Sequence, residues 1–217
     1  MADKNVCIEV LVVNSRQSDR REWLPLPGNR AAVQALFDRL GITLGGGVLT
    51  ADYHITKARN LPFPELEAAA GQPGTIDAWN WLAAALGRLG PGDLAMAAAV
   101  AKADHLCRIS DFLCLACHTD AYCLIPEAGN EQELGEYHLY RSGLISMPPE
   151  WKEAVDPAVL GGLIACKEQG RFLPQGYLMK FAHAPITVCD LSAIPAEYQI
   201  EPKAAARDNQ EKEAWIC

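Results

Sequence analysis

The stretch Thr75-Ile76-Asp77-Ala78-Trp79-Asn80-Trp81-Leu82-Ala83-Ala84-Ala85-Leu86 decides the reading of this chain. Ile76, Trp79, Leu82, Ala83 and Leu86 recur at steps of three and four residues, the period of one helix face. Thr75 stands where a side-chain oxygen can accept from the free N–H groups of a first turn, so a helix is expected over 76–89 with Thr75 as its cap. Gly90, Pro91 and Gly92 break the chain, and an alanine-rich helix is expected over 93–103. A shorter one is expected over 110–116. Of 33 alanines, 13 lie between Ala68 and Ala103, and each buries little area, so close helix packing is expected here. On this phase Trp81 falls almost opposite the stripe. It is therefore expected to be exposed and is a candidate for a protein interface, including self-association.

Working toward the N-terminus, Pro62 and Pro64 punctuate the chain before a short helix over 65–70. Residues 6–13 are rich in Val and Ile and alternate loosely, which suits a strand rather than a signal peptide. Pro25, Pro27 and Gly28 make a break, Asn29 can cap a helix running to Leu40, and Gly41 can close it. A second strand is expected near 48–55, after the turn Gly45-Gly46-Gly47. Toward the C-terminus, Asn130 and Glu133 have the spacing of a capping box, and Gly143 sits where that helix should end. Leu134, Tyr137 and His138 form its inner stripe. Asp156-Pro157 is a second helix start. Strands are expected near 171–173, 177–181 and 186–189. The fold class is α+β, an elongated chain of three small subdomains: an N-terminal α+β unit (1–61), a helical middle (62–117) and an acidic C-terminal α+β unit (118–202). A polar tail (203–217) follows.

The chain has 217 residues, with 27 acids against 19 bases, a net charge of −8. That balance argues against direct nucleic-acid binding. No apolar run approaches the roughly 18 residues of a membrane helix. With no export signal in view, the reading is a cytoplasmic protein with no membrane partner. The charge is uneven: residues 1–70 carry 8 acids and 8 bases, whereas residues 126–200 carry 10 and 5. Glu127, Glu131, Glu133, Glu136, Glu150, Glu153, Asp156 and Glu168 crowd that last region. Such a run is ordinarily a solvated face; as a functional feature it would be a partner-binding acidic face.

Eight cysteines punctuate the chain, and three of them, Cys7, Cys166 and Cys189, lie in apolar surroundings that suit small core residues. Cys114-Leu-Ala-Cys117-His118 has the spacing of covalent c-type haem attachment, a chemistry that normally requires export. Cys107, Cys114, Cys117, His118 and Cys123 also lie within 17 residues, but a tetrahedral zinc site usually draws on two close pairs and only one C-x-x-C pair is present. The expectation is therefore no metal and no cofactor. Cys117 and His118 are neighbours that would not face each other on a helix, and no nucleophile, phosphate-loop or metalloprotease motif occurs. No catalytic residue and no enzyme activity are expected.

Six segments, in order, resemble the ArdA antirestriction proteins of bacterial mobile elements. They are Asn14 with Glu22-Trp23-Leu24-Pro25; Thr75-Ile76-Asp77-Ala78-Trp79-Asn80-Trp81-Leu82-Ala83; Thr119-Asp120-Ala121-Tyr122-Cys123-Leu124-Ile125-Pro126; Glu133-Leu134-Gly135-Glu136-Tyr137; Gly170-Arg171-Phe172 with Gly176-Tyr177; and Ile194-Pro195-Ala196-Glu197-Tyr198-Gln199-Ile200. The resemblance spans about 14–200 and implies a rod-like, three-part α+β chain, often dimeric. It implies surface carboxylates that imitate B-DNA phosphates and block type I restriction–modification enzymes by competition, without catalysis or cofactor. Two departures are Ala78, where the family carries Glu, and a first third that is neutral overall. They motivate the alternative of an ArdA-like protein-interaction module whose mimicry has decayed.

Overall fold

The structure is a computed structural model that describes residues 7–42, 52–181 and 189–202. It is an α+β chain with two small antiparallel sheets. The first has the order β2-β1-β3, formed by β1 (Ile8–Asn14), β2 (Arg21–Leu26) and β3 (Tyr53–Arg59). β1 is the central strand, and Ile8, Val10, Leu11, Val12 and Val13 are all buried, which explains why its alternation is loose. β2 includes the first proline of the expected break, Pro25. As an edge strand it has one row of backbone groups outside the ladder, so a residue without an N–H is tolerated. β3 starts later than the strand expected over 48–55; residues 43–51, with the Gly45-Gly46-Gly47 turn, lie outside the described residues.

The helical expectations hold closely where capping chemistry marks them. α1 (Arg30–Leu40) begins with the Asn29 side chain accepting from the Ala32 N–H at 2.9 Å and ends on Gly41 with a φ of 65°. α2 (Ile76–Leu86) begins with Thr75 Oγ1 accepting from the Ala78 N–H at 3.1 Å and stops at Gly87, short of residue 89. The expected helix over 65–70 is a 3₁₀ segment, Pro64–Ala69. α3 (Pro91–Ala103) and α4 (Ile109–Cys117) complete the middle. The second sheet has the order β4-β6-β5, built from β4 (Tyr122–Ile125), β5 (Arg171–Leu173) and β6 (Gly176–Lys180). Between β4 and β5 run α5 (Glu131–Glu136), which continues as a π-helical turn over Tyr137–Arg141, then α6 (Pro149–Lys152) and α7 (Pro157–Glu168). Gly143 follows the π turn with a φ of 67°. The strand expected over 186–189 falls outside the described residues except for Cys189, which belongs to no strand, and the tail from 203 is likewise outside them.

One hydrophobic cluster runs from Ile8 of β1 through the helical middle to Ala116 of α4 and takes in Leu178 and Ile200. The division expected at residues 61 and 62 is therefore not a core boundary: the sheet and the middle helices bury their apolar faces against each other. A second, smaller cluster holds Ile125, Ala128, Leu134 and Tyr177. The C-terminal segment returns to α2. Asp77 Oδ1 accepts from the N–H groups of Ile200 and Glu201, at 2.6 and 2.7 Å, and Asn80 bridges the Gly28 N–H and the Tyr198 carbonyl. Among the described residues, no helix is long and apolar enough to cross a membrane.

Candidate functional site

The acidic region is assembled by two helix starts and one close helix crossing. Asn130 Oδ1 accepts from the Glu133 N–H at 3.0 Å, and Glu133 Oε2 accepts from the Gly129 N–H at 2.7 Å, completing the capping box. Leu134 and Gly135 turn inward, while Glu131, Glu133 and Glu136 are exposed. Asp156 caps α7 by accepting from the Ala158 and Val159 N–H groups. A Cβ on Gly135 would run into the Pro157 carbonyl, and one on Gly161 into the Glu131 carbonyl. The two helices thus touch backbone to backbone, and the acids of α5 share one rigid body with Asp156 at the head of α7. Glu150 and Glu153, on α6 and just after it, are also exposed. Glu127, Glu133 and Glu136 line a groove of about 380 Å³ together with Tyr137, Tyr140 and Arg141.

The ion pairs sharpen this picture. Those among the described residues join Arg16 to Asp52, Arg39 to Glu22, Arg59 to Glu9, Arg108 to Asp111 and Arg171 to Asp104. Arg39 holds the Glu22 carboxyl below its ordinary range. Glu127, Glu131, Glu133, Glu136, Glu150, Glu153 and Asp156 enter none of these pairs. The nearby ammonium of Lys152 is turned away from them, bonded to the Leu139 carbonyl and lying over the Tyr140 ring. Seven exposed carboxylates outside these pairs therefore lie on or beside the unit built by α5, α6 and the start of α7.

Two expected site residues do other work. Glu168, expected on the acidic face, is half-buried and accepts from the Tyr177 hydroxyl at 3.1 Å, which braces α7 against β6. Burial, and then the Glu168 carboxylate, push the Tyr177 hydroxyl well above its ordinary pKa. Trp81, expected to be exposed, is half-buried; its ring stacks on Tyr198 with centroids 5.9 Å apart and planes 11° apart. Helical phase alone did not anticipate this, because the partner arrives from a segment more than a hundred residues later.

The cysteines also redistribute. Cys7 and Cys166, expected in the core, are exposed, and Cys189 is half-buried. The Cys189 sulfur, the Cys114 sulfur and a His118 ring nitrogen all lie within 4.8 Å of one another. Cys117 also interacts with Cys189, and burial together with the Cys117 and Cys114 thiols pushes the Cys189 thiol up to about 12. Cys123 sits half-buried on β4, where burial raises its pKa, and Cys107 is exposed; neither belongs to this group. Sequence spacing could not show the grouping, since Cys189 follows Cys117 by 72 residues. Comparison of the chain with known protein families and with characterised proteins found no match.

Proposed function

We propose that this chain is a DNA mimic that inhibits a type I restriction–modification enzyme by occupying its DNA-binding surface. The observation that carries this reading is the set of seven exposed carboxylates outside every ion pair among the described residues, on the unit held together by the Gly135 and Gly161 contacts. The resemblance read from the sequence supports it. DNA-binding surfaces gain much of their affinity from phosphate contacts, so a fixed array of acids competes for the same lysines and arginines. B-DNA carries one charge per about 1.7 Å of axis, so seven carboxylates replace about 12 Å of duplex, and a second copy of the chain would double that length. No bond is made or broken, and no cofactor enters.

A second reading, a protein-interaction module with decayed mimicry, is favoured by Trp151, Val159 and Leu163, each more than half exposed on α6 and α7. Charge reversal separates the two. Glu133 is a poor choice because its carboxylate completes a helix cap worth about 1 kcal/mol. Glu127→Lys with Glu136→Lys changes the groove without touching a cap. Under the mimic reading, the double variant keeps its melting temperature and loses at least about tenfold in inhibitory potency, the effect of losing 1.4 kcal/mol. Unchanged potency would favour the apolar surface.

A further inference from the structure

We propose that Cys114, Cys117, His118 and Cys189 form a closed tetrahedral zinc site that clamps the start of the C-terminal segment onto the end of α4. This inference is independent of the acidic face. Cys114, Cys117 and His118 occupy the last turn of α4 and its C-cap, at positions i, i+3 and i+4, which share one face of a helix. Three thiolates and one imidazole are the donor set of structural zinc, and no position is left open for catalysis. The ligand from outside the helix is Cys189, and its sulfur already lies within 4.8 Å of both the Cys114 sulfur and the His118 nitrogen. With Zn–S bonds of about 2.3 Å, sulfurs in a tetrahedral site are about 3.8 Å apart, so bringing Cys114 and Cys189 to a common ion asks for movements of about 1 Å or less. Cys117, one helical turn after Cys114 and a neighbour of Cys189, would supply the fourth ligand.

The surroundings suit a site whose net charge, three thiolates with one Zn²⁺, is −1. The Arg88 guanidinium, bonded to the Tyr198 hydroxyl at 2.9 Å, lies near Cys117. Farther along the chain from Cys189, Asn80 holds the Tyr198 carbonyl and Asp77 holds the Ile200 and Glu201 N–H groups. Zinc at Cys189 would add a second tie to a stretch already held on α2 through Tyr198, Ile200 and Glu201.

The test uses the full chain, purified under reducing conditions, stripped with a chelator and titrated with Co²⁺ and then Zn²⁺. The expected result is one Co²⁺ per chain with the intense visible absorption of tetrahedral coordination and a thiolate charge-transfer band, displaced by one equivalent of Zn²⁺. Loss of an outer-shell partner costs a zinc site 10- to 100-fold, so Cys189→Ser and His118→Ala should each weaken binding at least about 100-fold, while Cys7→Ser and Cys107→Ser bind as the parent does. Circular dichroism of the metal-free variants checks that they fold, and the titration of the parent chain stands without them. The weak absorption of octahedral Co²⁺, or a Cys189→Ser protein that binds as tightly as the parent, would overturn the proposal. So would a fully reduced parent chain that takes up no metal.

Discussion

Asp77 and Asn80 show how single side chains organise this chain. They lie on α2 three residues apart, and each reaches a different part of the C-terminal segment, while Asn80 also receives the Gly28 N–H that precedes α1. Asn80 is buried, so its amide is a junction between three stretches remote in sequence. Asn80→Ala strands the half-buried Gly28 N–H and Tyr198 carbonyl, and a polar group left unpaired away from water costs about 1–3 kcal/mol. Urea unfolding should show a loss of about 3 kcal/mol; a loss under 0.5 kcal/mol would mean that water replaces both bonds. Legibility fails at this scale for a consistent reason. The apolar stripe of α2 could be read from spacing, and all five of its residues are buried. The environments of Trp81, Glu168 and Cys189 could not, because their partners Tyr198, Tyr177 and Cys114 are set by tertiary contacts rather than by period.

At the scale of elements, capping chemistry was the most readable signal. Asn29, Thr75, Asn130 and Asp156 each accept backbone N–H groups at the starts the sequence marks for them. Two edge strands went unread, since β2 carries Pro25 and β4 is only four residues long, whereas the edge strand β5 falls where it is expected. The α5–α7 crossing depends on glycines whose role appears only when the two helices meet. Gly161→Ala puts a methyl group into the Glu131 carbonyl, and backbone cannot yield as a flexible side chain can. Overpacking of this kind costs about 1–3 kcal/mol, and the upper end is expected here. Since Leu134 belongs to a cluster separate from the main core, the damage should stay local. Hydrogen exchange should accelerate in α5 and α7 and leave β1 protected; equal acceleration in β1 would show that the two clusters unfold as one.

At the scale of the whole molecule, the ion pairs among the described residues are unevenly placed. Glu9 pairs with Arg59, Glu22 with Arg39, Asp52 with Arg16 and Asp111 with Arg108, whereas the exposed acids of α5, α6 and the α7 cap enter no ion pair among the described residues. The sequence counts located the acidic third, and the side-chain geometry reduced eight candidate acids to seven by giving Glu168 to Tyr177. The α+β class was legible from capped helices and Val-rich strands, but the shared core of the first two expected units was not, because cores are closed by contacts that no local pattern records. The most direct measurement of the central claim is inhibition of a purified type I restriction–modification enzyme by this protein, at several DNA concentrations across a salt series. Charge-driven binding is screened over about 8–10 Å at physiological salt, so inhibition should be competitive with DNA and weaken steeply as salt rises. Inhibition insensitive to salt, or not relieved by added DNA, would contradict the mimic.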